Sequence, residues 1–183
     1  MIRQPQHTEA MIQGDSAVIL IPKNASTSIR ETLTGRGYER TINYDKLHDK
    51  KIYAVVRNPL DRFLSAFITV ERQSASKHLD KYDLLGDFVL TVHRLNEYQD
   101  YHYLPQVQFL RDEQGKSLTI HKYILFDDLG DYDILELNSC AYADDMQRVK
   151  SYLNRHWDLT GYINQFYTDD QKLYLRVLNG DKK

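Results

Sequence analysis

The 183-residue chain is predicted to fold as one three-layer α/β domain, a central parallel sheet flanked by helices. Three observations carry that expectation. Short apolar runs with β-branched residues alternate with segments whose apolar residues recur every three or four positions. No internal repeat, low-complexity tract or Pro/Gly/Ser-rich linker divides residues 1–183, so a single domain is expected. Hydrophobic residues make up 42 % of the chain, enough at this length for a core that needs neither disulfide nor structural metal.

The elements follow in order. Residues 1–15 are expected to be a poorly ordered N-terminal segment. Ala17 to Ile21 is an apolar run closed by Pro22, the pattern of a strand covered on both faces. Ser26 to Leu33 reads as a helix, with Ser26, Thr27 and Ser28 as N-cap candidates and Gly35 and Gly37 as its stop. Ile52 to Val56 is a second buried strand, followed by Asn58 as N-cap and Pro59 at the first helical position. The helix after it carries Leu60, Phe63, Leu64, Phe67 and Ile68 on one stripe, expected to face the sheet. Leu84 to Leu95 reads as a helix, Thr119 to Phe126 as a third strand, and Asp144 to Trp157 and Thr168 to Leu178 as two closing helices, Thr168 capping the last. This alternation implies parallel strands with right-handed crossovers.

Charge and composition exclude several classes. With 24 basic against 26 acidic residues the net charge is −2, without the positive field of a non-specific nucleic-acid binder. Ile21 to Arg62 holds nine basic and five acidic residues, whereas Phe126 to Gln147 holds seven acidic ones and no Lys or Arg. Alternating solvated faces explain such blocks as well as a binding surface does. Cys140 is the single cysteine, which excludes an internal disulfide framework and zinc sites built on cysteine pairs. No apolar run approaches the roughly 20 residues of a membrane-spanning helix, and residues 1–20 lack a signal-peptide apolar stretch, so a cytoplasmic protein is expected.

Ligands of parallel sheets sit beyond the carboxyl ends of the strands, and two motifs fall there. The first, Ile21 to Arg30 (IPKNASTSIR), leaves the first strand and opens a helix. A helix N-terminus offers unpaired N–H groups to an anion; small side chains let backbone approach, hydroxyls donate, and Lys23 adds a point charge. It is not a Walker A loop, because the required glycines are absent. An ordinary capped helix with an exposed lysine is the plainer alternative. The second motif, Val55 to Phe67 (VVRNPLDRFLSAF), puts Arg57 at a strand end and Ser65 two turns into the next helix. A guanidinium fork with a nearby hydroxyl suits a terminal phosphate. The alternatives are an Arg57–Asp61 salt bridge and a small residue packed closely.

Together PKNASTSIRETL and YAVVRNPLDRFLSAF resemble the cofactor signature of sulfotransferases that use 3′-phosphoadenosine-5′-phosphosulfate (PAPS), closest to the Golgi-type carbohydrate sulfotransferases and their short bacterial and viral relatives. The resemblance implies a P-loop-NTPase-like sulfotransferase fold. It also implies that Lys23, Asn24, Ala25, Ser26, Thr27 and Ser28 hold the 5′-phosphosulfate, that Arg57 and Ser65 hold the 3′-phosphate, and that adenosine 3′,5′-bisphosphate (PAP) is released. Many relatives have glycine where this chain has Ala25. Fainter likenesses lie in His102 to Gln106, similar to the family's HxxPQ segment, in Tyr123 to Leu129, and in Phe166 to Tyr174, similar to its closing YxxD helix.

Sulfuryl transfer needs alignment and charge stabilisation rather than a metal, because the sulfuryl group carries less charge than a phosphoryl group. Lys23 is the expected stabiliser of the departing oxygen. The acceptor hydroxyl needs a base, for which histidine is the best-suited side chain. His48 is the first candidate, standing where related carbohydrate sulfotransferases place a catalytic histidine; His102 is the second, with Asp45 and Glu39 behind them. The acceptor is expected to be a hydroxyl on a carbohydrate, and Arg72 to Gln106 is the expected specificity region. An ATP-dependent kinase and a non-catalytic nucleotide-binding module are the alternative readings; oligomeric state is open.

Overall fold

A computed structural model describes residues 8–75, 83–97, 100–132 and 143–181. Cys140, His7, His78 and the middle of the acidic Phe126 to Gln147 segment lie outside the described residues. The strands are β1 (Glu9–Gln13), β2 (Ser16–Leu20), β3 (Glu39–Thr41), β4 (Lys51–Val56) and β5 (Ile120–Leu125). The α-helices are α1 (Ser26–Gly35), α2 (Pro59–Ala75), α3 (Leu84–His93), α4 (Ala143–Leu153), α5 (Trp157–Phe166) and α6 (Thr168–Leu178).

The sheet order is β3-β1-β2-β4-β5, with β2, β4 and β5 parallel and β1 antiparallel to both β2 and β3. The expected all-parallel sheet is thus corrected to a mixed one, parallel at its centre. The correction begins at the N-terminus, where residues 9–13 are a sheet strand rather than a loose segment. Gln13 pairs with Ser16 across a two-residue turn, and Gly14 takes the positive φ (55°) that so tight a reversal asks of its first residue.

Side chains alternate between the sheet's two faces, as the pleat requires. Ala17, Ile19, Ile52, Ala54, Val56, Tyr123 and Leu125 pack with Leu173 and Val177 of α6 and with Phe109. Met11, Leu20, Val55 and Ile124 pack on the other face against Ile29 and Leu33 of α1. The sheet therefore lies between α1 and α6, giving the expected three layers.

A second core is built mainly from helices, with Leu95, Tyr103 and Tyr167 added from turns. The α2 stripe, expected to face the sheet, packs instead against α3, α4 and α5: Phe63, Leu64, Phe67 and Ile68 meet Leu84, Phe88, Val149, Leu159 and Ile163. Phe63 is fully buried among the rings of Phe88, Tyr103 and Tyr167, at centroid distances of 5.9, 5.9 and 6.1 Å. Aromatic clustering of this kind adds to area burial.

Caps account for other differences. Asn58 caps α2 as expected, its Oδ1 accepting from the N–H groups of Leu60 and Asp61 at 3.0 and 3.2 Å. Thr168 does not cap α6; it is that helix's first residue, and its hydroxyl donates back to the carbonyls of Asn164 and Gln165. The helix expected from Asp144 to Trp157 stops at Leu153, and a separate α5 starts at Trp157. Gly161 inside α5 lowers its intrinsic propensity by about 1 kcal/mol relative to Ala, and burial of Leu159 and Ile163 offsets that. No described helix is long and apolar enough to cross a membrane.

Truncating Phe63→Ala should destabilise the chain by about 3–5 kcal/mol, measurable as a lower urea midpoint at unchanged slope. A loss below ~1 kcal/mol would show that the helical core does not depend on this ring.

Candidate functional site

β2, β4 and β5 are adjacent parallel neighbours, so their carboxyl ends lie along one edge of the sheet. The chain leaves those ends at Ile21–Lys23, Arg57 and Phe126, and all three exits are in contact. Arg57 Nη1 donates to the Lys23 carbonyl at 2.8 Å, and the guanidinium lies 4.2 Å from the centre of the Phe126 ring. Stacking on an aromatic face and a fixed carbonyl partner orient the planar fork.

Lys23 turns its ammonium toward α2, where Nζ donates to Thr69 Oγ1 at 2.7 Å. Thr69 donates onward to the Ser65 carbonyl at 2.9 Å, one helical turn earlier on the same face. Lys23, Arg57 and the Ser65–Thr69 face of α2 are thereby gathered at one place. Asp61, the alternative partner for Arg57, is paired with Lys150 of α4 at 2.9 Å.

The loop before α1 has strained backbone. Lys23 and Ala25 have φ of 68° and 60°, a region costly for residues with a Cβ. This left-handed geometry explains why glycine fits at position 25. It also corrects the expected cap: Ala25, not Ser26, Thr27 or Ser28, precedes the helix, and no side chain caps it. With no side-chain cap, the start of α1 presents the positive end of the helix, the geometry that receives anions. Ser26 is half-buried, Thr27 exposed and Ser28 buried.

Asn24 points inward. Its side chain is fully buried and Nδ2 donates to the Val55 carbonyl (2.7 Å) and to Gln106 Oε1 (2.9 Å). Asn24 therefore braces the loop from beneath rather than lining a surface. Gln106, also fully buried, accepts from the Arg57 N–H (3.3 Å) and donates through Nε2 to the Arg57 carbonyl (3.0 Å). Asp170, at the start of α6, accepts from the backbone N–H groups of Gln106 (2.7 Å) and Val107 (3.0 Å). Beside this network Arg62 is wholly buried; Nε donates to the Pro22 carbonyl at 3.1 Å, and burial lowers the guanidinium's pKa. Burial also pushes the Asp170 carboxyl up to about 6, against the opposing pull of Arg62 and of the two backbone donors, and it raises the Tyr167 hydroxyl.

The two candidate histidines stand at different ends of the sheet. His48 lies three residues before β4, and the first residue of that strand, Lys51, is bonded through its N–H to Asp15 in the β1–β2 turn. The six residues of β4 run ~20 Å from there to Arg57. His48 is 70 % exposed, 4.0 Å from Asp45, so neither it nor Asp45 joins the cluster; Glu39 is exposed on the outermost strand, β3. His102 stands four residues before Gln106. Its Nδ1 lies 2.8 Å from Asp100 Oδ1, which also accepts the His102 backbone N–H at 2.8 Å. The neighbouring Tyr101 is raised above its ordinary pKa by burial and by Asp100 and Glu9, with Arg30 of α1 opposing. Four residues of chain reach at most ~14 Å, so His102 stays near Gln106, which is bonded to Arg57 at the carboxyl end of β4.

Sequence reasoning passed over Gln106, Asp100, Asp170, Thr69 and Phe126 as site residues. Gln106 and Asp170 nevertheless stood inside the HxxPQ and YxxD segments. The basic block from Ile21 to Arg62 does not form one patch: Arg36 reaches the Tyr132 carbonyl, Arg40 pairs with Glu9, and Lys51 pairs with Asp15. Comparison of the chain with family models, curated proteins and solved structures finds no match.

The Asp170 shift has a definite sign. In the folded chain the carboxyl keeps its proton up to about pH 6, while its ordinary value is 3.8, so the folded state binds the extra proton between these limits. This group's contribution to stability therefore falls as pH rises from about 4 to about 6 and is level above. Asp170→Asn, neutral throughout, should remove a fall on the order of 2–3 kcal/mol from the wild-type curve. Urea unfolding of both proteins across that window measures it, and parallel curves would contradict it.

Proposed function

We propose that the chain is a sulfotransferase of the P-loop-like fold that moves a sulfuryl group from PAPS to an acceptor hydroxyl of the carbohydrate class. One observation carries the reading: Arg57 holds the carbonyl of Lys23 while Lys23 reaches to α2 one turn from Ser65, so the two strand-end motifs form one cationic cluster. Two anion sites that close together suit a donor charged at both ends of one adenosine. The start of α1, which no side chain caps, supports the same reading, because the positive end of the helix lies where a phosphosulfate would sit.

In this proposal Arg57 and Ser65 take the 3′-phosphate, and the α1 amides with Ser26 and Thr27 take the 5′-phosphosulfate. Lys23 exchanges Thr69 for the bridging oxygen and neutralises the charge that grows there as the S–O bond breaks. Asn24 and Ala25 serve the loop through backbone and packing. PAP leaves; no metal is required by this charge balance.

The acceptor proton goes to His102. Asp100 is acceptor-only when ionised, so Nδ1 is the protonated nitrogen and Nε2 keeps the lone pair. Its hydrogen bond to His102, the largest influence on the Asp100 carboxyl, holds that carboxyl below its ordinary value and favours the ionised form this arrangement needs. Among the candidate bases, His102 has an orienting partner and the strand-end position; His48 has neither.

Transfer of labelled sulfate from PAPS to a panel of glycans tests the proposal. Wild-type protein should transfer without added Mg²⁺; Lys23→Ala should lower kcat about 10²–10³-fold, and His102→Ala about 10²–10⁴-fold. His48→Ala should leave the rate within about twofold, given its distance from the cluster. Turnover of ATP that requires Mg²⁺, with no affinity for PAP, would replace this reading with a kinase. Binding of PAP without transfer to any acceptor would reduce it to a binding module.

A further inference from the structure

We infer that Gln106 is a positioning residue that sets the orientation of Arg57 and ties it to the Lys23–Asn24 loop, with Asp170 as its anchor. The inference rests on the reading of the cluster as a PAP-binding cradle. Its evidence is the bonding of one fully buried side-chain amide. Nε2 donates to the Arg57 carbonyl at 3.0 Å and Oε1 accepts the Arg57 N–H at 3.3 Å, so the amide pairs with both polar groups of that residue's backbone as a neighbouring strand would. The same Oε1 accepts from Asn24 Nδ2 at 2.9 Å. Gln106 thus joins residues 49 and 82 positions away in the chain, one on each strand-end motif.

A side chain that only filled a core position would not need this pattern. Arg57 is the first residue after β4, and the Gln106 amide bonds both its N–H and its carbonyl just where the strand stops. By completing the pairing, Gln106 fixes the backbone from which the guanidinium projects toward the Lys23 carbonyl and the Phe126 face. Gln106 is itself fixed from α6, since Asp170 accepts its N–H at 2.7 Å and the next N–H at 3.0 Å. A small displacement of an arginine fork misaligns a bidentate phosphate contact, and loss of comparable orienting partners typically costs about 10–100-fold in affinity.

A double-mutant cycle on PAP affinity, read by titration calorimetry with circular dichroism and Tm as folding controls, tests this. Gln106→Met keeps length and removes the amide. It should weaken PAP about 10–100-fold in the wild-type background but less than about threefold in Arg57→Ala, because its effect runs through Arg57. If Gln106→Met does not fold, Asp170→Asn takes its place in the cycle with the same expectation of non-additivity. Equal effects in both backgrounds, or no effect on PAP affinity in a folded variant, would overturn the positioning role while leaving the cradle standing. A wild-type protein with no measurable PAP affinity would instead overturn the cradle, and the inference with it.

Discussion

The need to pair buried backbone N–H and carbonyl groups where three parallel strands end governs the arrangement of this edge. Ladder bonds stop at Leu20, Val56 and Leu125, yet the chain beyond those points stays partly buried, so its polar groups must find partners in side chains. Asn24, Gln106 and Asp170 supply them, each fully buried and each bonded to backbone of a different segment. At about 0.5–1.5 kcal/mol per bond their net contribution to stability is modest. Their geometric effect is larger, because an unpaired partner at such depth would cost more than the bond returns. The ends of β2 and β4, the Phe126 exit from β5 and the start of α6 are thereby held in one relation.

That rigidity makes the strain of the first loop intelligible. Two non-glycine residues, Lys23 and Ala25, sit at positive φ on either side of a buried, doubly bonded Asn24. Strain of this kind persists where the surroundings over-determine it. The outcome is a lysine carbonyl facing Arg57, a lysine ammonium over α2, and a helix N-terminus without a cap of its own. Lys23 and Arg57 thus bring two cationic side chains to the strand ends of a chain whose net charge is −2. Arg62, buried beneath Pro22, adds a fixed cation behind the same loop.

The central strands and the helices that flank them were legible because their signals are local: continuous apolar runs for β2 and β4, Asn58–Pro59 opening α2, and apolar spacing within α6. The antiparallel half was not. β1 is five residues that become a strand by pairing with β2, and Glu39–Thr41 has no pattern of its own beyond its partner β1. The Gly14–Asp15 turn was the available clue. The α2 stripe was legible but its partner was not, since a periodic face does not say whether sheet or helices cover it. For the site, residue types and spacing pointed to Lys23, Arg57 and Ser65. The choice between His48 and His102 depends on which end of β4 each occupies, which is a matter of topology. The bracing by Gln106 and Asp170 spans 49 to 82 residues of sequence, and no local pattern encodes it.

The central claim is that one molecule bridges both strand-end motifs, and it is tested most directly by comparing the affinity of PAP with those of adenosine 3′-monophosphate and adenosine 5′-monophosphate. If Arg57 with Ser65 and Lys23 with the α1 amides grip opposite ends of one ligand, PAP should bind at least about 100-fold more tightly than either monophosphate, since the second contact is made intramolecularly. Equal affinity for PAP and one monophosphate would mean that only one motif binds phosphate, and the account would be wrong.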